Sequence, residues 1–338
     1  MRLPGMNRPL RVLSWAGAWG AALRDAVSRP FQDAMNVPVE AVRHVGLRLP
    51  DALDQALAGH GEPPVDVVWC NTSPALRAAQ RGWCESLDGA PVLTELADRA
   101  RLSQPDGWPV AQMYVVHYVL AYRSQLYPVR PPESWRVLER ADHAGRVVLY
   151  PGGNGFYPVA QVLGGGVPSD IPHDMAACWA TVHRMRRQLG ARDYSIGLHE
   201  PIRRGDLDLC YRALPNVLAF QADGLRVEWT APREGIADTT DAMWIPRGLA
   251  PDVLACARAY IWFALSAPVQ ARWCKVLGAL PLNRNARDRS AAFERAGMPV
   301  DPDDLGGVLY VPEHIKAMHE PEWEATFEAI CEHGGEAL

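Results

Sequence analysis

The sequence contains no run of about 18 or more uncharged apolar residues, so no segment is expected to cross a bilayer as a helix. It has no block of lysine or arginine either. Its 34 basic and 39 acidic residues are dispersed and give a formal net charge of -5, which leaves no electrostatic footprint for nucleic acid, and no nucleic-acid partner is expected. The seven cysteines, Cys70, Cys84, Cys178, Cys210, Cys256, Cys274 and Cys331, form no CxxC pair and no Cys/His spacing suited to zinc. They read as small core residues, although an odd count leaves at least one thiol unpaired and fits awkwardly with an oxidising compartment. Catalytic signatures are missing as well: HExxH, GxSxG, the phosphate-binding GxxxxGK followed by Ser or Thr, and GxGxxG followed by a ribose-binding acid. The expectation is a protein without catalysis, cofactor or metal.

What the chain does have is apolar content, 48% over 338 residues, which is more than one core normally uses and points to two. Leu10 to Ser14 is a short apolar run ending in the small-residue stretch Ala16 to Gly20; Leu23, Val27, Phe31 and Ala34 follow at helical spacing. This predicts strand, loop, helix. The same region carries a rival reading, because Arg8 and Arg11 precede the uncharged stretch Val12 to Leu23 much as a basic region precedes the apolar part of a signal peptide. If the stretch is instead a first strand and loop, any export signal lies outside these residues. Further strands are predicted at Val37 to Val45, Val65 to Trp69, Met113 to Tyr122, Arg146 to Tyr150, Leu207 to Tyr211, Val217 to Phe220, Arg226 to Thr230 and Asp241 to Ile245. Helices are predicted at Leu47 to Leu57, Ala75 to Trp83, Phe156 to Leu163, Trp179 to Leu189, Asp252 to Leu265, Val269 to Leu277 and Pro321 to His333. Strands alternating with helices point to an α/β arrangement with parallel strands.

Few local features stand apart from core or turn. Ten histidines include His314/His319 and His183/His199, and neither pair sets two imidazoles on one helical face. Gly164-Gly165-Gly166 follows a helix, where a helix stop is expected. Arg203-Arg204-Gly205-Asp206 reads as a solvated turn, with pairing of an arginine to a ligand carboxylate as the alternative. Gly152 to Gly155 lies between a strand and a helix, where glycines make a tight turn or, alternatively, offer backbone N–H groups to an anion. Of the twelve tryptophans most should be core anchors, but Trp15 and Trp19 fall just beyond the carboxyl end of the first strand. That is where ligands approach parallel α/β sheets.

Several pieces in order carry a resemblance. LRVLSWAGAWGAALRDAVSRPF (10 to 31), VDVVWCNTSPALRAAQRGWCESLD (65 to 88), PESWRVL (132 to 138) with Gly145, DAMWIPRG (241 to 248), ARAYIWFALSAPVQARW (257 to 273) and PLN (281 to 283) together resemble the family 1 bacterial extracellular solute-binding proteins, and within them the spermidine/putrescine-binding group. The resemblance runs from about Leu10 to His333. It implies a type II periplasmic-binding-protein-like fold: two α/β lobes joined by two crossing strands, near Val115 to Tyr118 and Thr239 to Asp241, with an interlobe ligand cleft that closes by hinge motion on a solute. Lobe 1 would comprise residues 9–116 and 240–306, lobe 2 residues 117–239 and 307–338. The implied role is the substrate-binding component of an ABC importer: monomeric, periplasmic, and partnered by a small-molecule ligand and a membrane permease.

Carried over position by position, the resemblance puts Trp15 where the polyamine group has a stacking aromatic, Tyr211 where it has a tryptophan and Asp241 where it has an amine-binding carboxylate. Aromatic faces and a carboxylate suit a cation. The second lobe's amine-binding acids are replaced around Pro151 to Asn154, and further aromatic positions fall at Thr239 and near Ala279. The expected ligand is therefore an amine, something polyamine-like, or a zwitterion. Trp15, Trp19 and Tyr211 would sandwich it and Asp241 fix its cationic group, with Asn71, Thr72, His117, Tyr118 and Asn154 as further contacts. Alternatives are a carboxylate or other anion held by Arg203 or Arg204 and the glycine turn, and a biosynthetic enzyme on the same fold.

Overall fold

The structure is a computed structural model and describes residues 6–44, 51–59, 61–101, 107–190, 197–286, 293 and 296–332. Its strands are, in chain order, β1 (Leu10–Trp15), β2 (Val39–His44), β3 (Val67–Asn71), β4 (Ala111–Arg123), β5 (Val147–Val148), β6 (Leu209–Ala213), β7 (Val227–Thr230), β8 (Ile236–Trp244), β9 (Leu280–Pro281) and β10 (Val308–Leu309). The chain divides into two compact units. One comprises Met1–Val115, Thr240–Ala291 and Val300–Asp303; the other comprises Val116–Thr239, Ala292–Pro299 and Asp304–Leu338. The chain passes from one to the other inside β4 and returns inside β8.

In the first unit β1 is central. It pairs in parallel with β2 along its whole length, Leu10 opposite Val39 to Trp15 opposite His44, and in parallel with β3 at Val12 and Leu13. Leu10, Val12 and Leu13 are at most 1% exposed. A strand buried on both faces needs such a continuous apolar run. The stretch that mimics a signal peptide is therefore core strand and helix. Its two arginines are also part of the fold, since Arg8 and Arg11 both bind the fully buried Asp66, which accepts from the backbone N–H of Arg11 as well. Beside β3 runs β8, antiparallel, with Val68 opposite Trp244 and Asn71 opposite Asp241. The sheet is thus mixed, where strand–helix alternation alone predicted parallel pairing. β4 pairs antiparallel with β9.

The helices of this unit correct two expectations. Ala16 to Gly20 is not a loop: a helix starts at Gly17 (Gly17–Leu23), continues through a π-helical turn (Arg24–Ser28) and ends as Arg29–Met35. Its first turn is made of small residues and hides the helical period. The helix after β3 spans Thr72–Gln80, so Thr72 is its first residue and the predicted Ala75 start is one turn late. The helix before β3 is Asp51–Ala58, and the earlier part of the predicted Leu47 to Leu57 segment lies outside the described residues. Pro251–Leu265 and Ala267–Leu277 form a helix pair bent by 67°. Among the described residues no single helix is long and apolar enough to cross a membrane.

In the second unit β6 lies between β4, antiparallel, and β5, parallel; β7 pairs with β4 antiparallel, and β10 with β8 in parallel. Val217 to Phe220, expected as a strand, belongs to the helix Leu214–Ala222. Leu214, Val217 and Phe220 are buried at a spacing of three, so the apolar run is one helical face entered through Pro215. The helix predicted at Trp179 to Leu189 is Ala176–Met185. The last helix, expected to start at Pro321, is Glu313–Glu332 with Pro321 inside it; His333 lies outside the described residues. Gly164 caps the helix Tyr157–Leu163, as the glycine run predicts.

Candidate functional site

The register of β3 and β8 builds the site of the first unit. Asn71 and Asp241 are direct cross-strand neighbours, and the Asn71 amide Nδ2 donates to Oδ1 of Asp241 at 2.9 Å. From β4, the Tyr114 hydroxyl donates to the other carboxylate oxygen at 2.8 Å. Asp241 is only 2% exposed. Burial, and then the charge of Asp241, push the Tyr114 phenol well above its ordinary pKa, so it stays a hydrogen-bond donor at any physiological pH. One residue away, the hydroxyls of Thr240 and Thr72 are 2.7 Å apart. Two neutral donors thus orient a buried carboxylate.

Aromatic rings surround these groups. Trp69 lies on the same face of β3 as Asn71, two residues earlier. Its ring is 6.5 Å from Trp15, 6.4 Å from Trp19 and 5.3 Å from Trp273. Tyr114 is 4.9 Å from Trp273 and 6.4 Å from Trp19. Trp69, Tyr114 and Trp273 are fully buried, whereas Trp15 and Trp19 are half-buried. The chain turns from β1 straight into the Gly17–Leu23 helix because a Cβ at Gly20 would meet the Trp15 carbonyl oxygen at 2.2 Å, and glycine has none. Trp15 and Trp19 each pack against the Trp69 ring.

The expected site residues therefore fall in two groups. Trp15, Trp19, Asn71, Thr72 and Asp241 converge in the first unit. His117, Tyr118, Asn154 and Tyr211 belong to the second. There Tyr211 is fully buried: it stacks on Tyr118 at 4.7 Å, packs against Phe156 at 5.2 Å and Trp135 at 5.5 Å, and donates its hydroxyl to the Gly155 carbonyl at 2.6 Å. The sandwiching role expected of Tyr211 meets a ring enclosed by the second unit's own side chains. His117 is buried with its ring 5.3 Å from Phe293, and Asn154 is half-buried behind the Pro151–Gly153 turn.

The groups proposed for an anion do not converge either. Arg203 binds Glu200 at 2.6 Å and Arg204 binds Asp206 at 3.1 Å, all on the surface at the end of the helix His199–Arg204. The glycine turn is occupied by protein. Gly152 N–H donates to the Glu328 carboxylate at 2.8 Å, and a Cβ on Gly152 or Gly153 would collide with Glu324 or Phe327. These glycines allow the last helix to pack on the turn. Sequence reasoning missed Arg212, which is 3% exposed with its guanidinium 4.2 Å from the centre of the Tyr150 ring. The Tyr150 hydroxyl accepts from Asn216 Nδ2 at 3.0 Å and from the Ala213 N–H at 3.3 Å, at the start of the Leu214–Ala222 helix. Tyr114, Trp69 and Trp273 were missed too. The two-residue period linking Trp69 to Asn71 was the one local signal for any of them.

Elsewhere in the second unit Asp208 gathers Arg146 Nε at 2.9 Å, an Arg123 nitrogen at 3.1 Å and the His143 imidazole Nδ1 at 3.0 Å. Burial pushes this carboxyl up, but the hydrogen bonds from Arg146 and His143 outweigh it and hold Asp208 below the usual range. Six of the seven cysteines are buried thiols, and burial raises Cys70 to about 12, far from reactive. Among the described residues no group of three or more His, Cys, Asp or Glu side chains could hold a metal ion.

The sequence profile of the bacterial extracellular solute-binding proteins matches residues 26–299. Curated protein sequences give no match. Among solved structures, an ABC transporter substrate-binding protein from Bradyrhizobium japonicum USDA 110 superposes with a TM-score of 0.80 at 20% identity, covering 96% of this chain and 99% of the other. The periplasmic binding protein AgtB from A. tumefaciens R10, in complex with agropinic acid, gives 0.77 at 19% identity, covering 97% and 99%. AfuA from Actinobacillus pleuropneumoniae, with fructose-6-phosphate bound, gives 0.74 at 15%, covering 98% and 100%. The two-lobe periplasmic-binding fold is shared over nearly the whole chain, and the chain belongs to the family of bacterial extracellular solute-binding proteins.

Proposed function

We propose that this protein captures a small solute with a cationic group, an amine, a polyamine-like molecule or a zwitterion, and delivers it to the membrane permease of an ABC importer from the periplasm as a monomer without catalysis. The observation that carries this reading is Asp241: a carboxylate 2% exposed, oriented by Asn71 and Tyr114, within an assembly of indole rings of which two, Trp15 and Trp19, remain half-exposed. A carboxylate supplies charge, and indole faces attract the same cation through their quadrupole. Among the structural relatives, one is a GABA receptor with a TM-score of 0.77 at 17% identity, and GABA carries an ammonium group.

Isothermal titration with putrescine, 4-aminobutyrate, n-butylamine and matched carboxylates lacking the amine tests the charge. Amines are expected to bind, and Asp241→Asn is expected to weaken them by about 3 kcal/mol, roughly a hundredfold, since charge-assisted hydrogen bonds are worth about 1.5–3 kcal/mol. Unchanged amine affinity in Asp241→Asn, or binding of carboxylates alone, overturns the assignment.

A second reading, an anionic solute, has Arg212 in its favour. This buried guanidinium lies over the Tyr150 ring next to the start of a nine-residue helix, a combination suited to a carboxylate. Retained carboxylate binding in Asp241→Asn together with its loss in Arg212→Met would select that reading.

A further inference from the structure

Gln112 stands two residues before Tyr114 on β4, so strand alternation puts both side chains on one face, about 7 Å apart. It is 1% exposed, yet among the described residues neither its amide nitrogen nor its amide oxygen has a hydrogen-bond partner. A second enclosed group is in the same position. Trp273 is fully buried with its ring 4.9 Å from Tyr114, and its indole N–H has no partner among the described residues. Buried polar side chains are nearly always hydrogen-bonded, and each group left unmatched costs about 1–3 kcal/mol. Two such groups adjoin the tyrosine that orients Asp241. They present two donors and one acceptor.

We propose that Gln112 and Trp273 form a neutral polar subsite that takes a hydroxyl or carboxamide of the solute. The amide oxygen of Gln112 accepts from that group, while Gln112 Nε2 and the Trp273 indole donate to its oxygen. A solute carboxylate would leave the Gln112 oxygen unmatched, and a methyl would leave all three groups so. The inference rests on the reading that Asp241 holds the solute's cationic end. It adds a second specification: beyond its amine, the solute carries a neutral hydrogen-bonding group.

The test uses the full chain and three probes, n-butylamine, 4-amino-1-butanol and 4-aminobutyramide, titrated calorimetrically into wild type and Gln112→Leu. Wild type is expected to favour the amino alcohol or the amino amide over butylamine by at least about tenfold, because a site built to hydrogen-bond a group rejects the analogue lacking it. Gln112→Leu is expected to bring the three probes within about twofold, to keep butylamine affinity, and to raise the melting temperature of the solute-free protein by removing an unmatched amide. Trp273→Phe, which deletes the N–H while keeping an aromatic ring, should weaken the same preference if Gln112→Leu fails to fold. Equal binding of the three probes by wild type overturns the subsite. So does a Gln112→Leu protein that melts lower and keeps its selectivity, the signature of an amide held by a structural water. Butylamine binding that depends on Asp241 but shows no discrimination removes only this inference, whereas no binding of any probe removes the Asp241 reading with it.

Discussion

Both units concentrate aromatic side chains beside a crossing strand, but they use them in opposite ways. In the first unit the cluster is built around a charge: Tyr114 spends its hydroxyl on Asp241, and two of its indoles stay half-exposed. In the second the tyrosines bind backbone and each other. Tyr211 donates to the Gly155 carbonyl, Tyr150 accepts from the Ala213 N–H, and Tyr118 stacks face to face on Tyr211. Composition alone does not separate a recognition surface from a core. What separates the two clusters is where each polar tip is satisfied: on a buried carboxylate in one case, on the fold's own backbone in the other.

The two units also each carry an aspartate clamp, and breaking the second clamp should produce the largest stability effect. Asp66 binds Arg8 and Arg11, and Asp208 binds Arg146, His143 and Arg123. Asp208→Asn leaves two arginines without their carboxylate and should cost about 3 kcal/mol in urea denaturation, the low end for a broken buried pair because the arginines keep some solvent contact. Both carboxyls are held below the usual aspartate range against the opposing pull of burial. A depressed folded pKa gives stability that is present above the unfolded value, about 3.9, and is lost as pH falls through the folded one. Wild-type stability should therefore drop below about pH 4, and Asp208→Asn should flatten that dependence. A variant as stable as wild type at pH 7 with the same acid limb would remove the clamp from the comparison.

A smaller effect tests the contrast between the clusters themselves. Trp19→Ala should lower affinity for amines about five- to thirtyfold, in line with a lost cation–π contact of about 1–2 kcal/mol, with little loss of stability because the ring is half-exposed. Tyr211→Phe should do the reverse: about 1 kcal/mol of stability for the bond to Gly155, and no change in affinity. Titration of one amine and thermal melts on both variants give the answer. Exchanged outcomes would mean that Tyr211, not Trp19, meets the solute.

Legibility in the sequence followed local pattern. β1, β3 and β4 are continuous apolar runs rich in β-branched residues, and they read as strands for that reason. Val217 to Phe220 is equally apolar but too short to show a period, and only Leu214 and Pro215 before it disclose the helix. Pro321 suggested a helix start because proline favours the first turn, but the helix begins eight residues earlier. At the site, Trp15, Trp19, Asn71 and Asp241 were within reach, since Trp15 and Asn71 lie at strand ends and all four lie in segments that resemble the family. Tyr114 and Trp273 were not. Their roles arise from pairing between β4 and β9 and from a helix folded back over the sheet, contacts that no local spacing encodes.

The smallest expected effect bears on the anion reading that the sequence left open. Arg203 and Arg204 are about 60% exposed and paired to Glu200 and Asp206, also on the surface. Exposed pairs of this kind contribute about 0.2–1 kcal/mol, so Arg203→Ala and Arg204→Ala should barely move the melting temperature and should leave the affinity for amines and carboxylates alike unchanged. Arg212→Met, by contrast, removes a buried guanidinium from the Tyr150 ring and should cost measurable stability whatever the solute is. If either surface arginine variant lost carboxylate binding while Arg212→Met kept it, the second unit would have its recognition surface at the helix end, and the division between a charged first cluster and a structural second one would have to be redrawn.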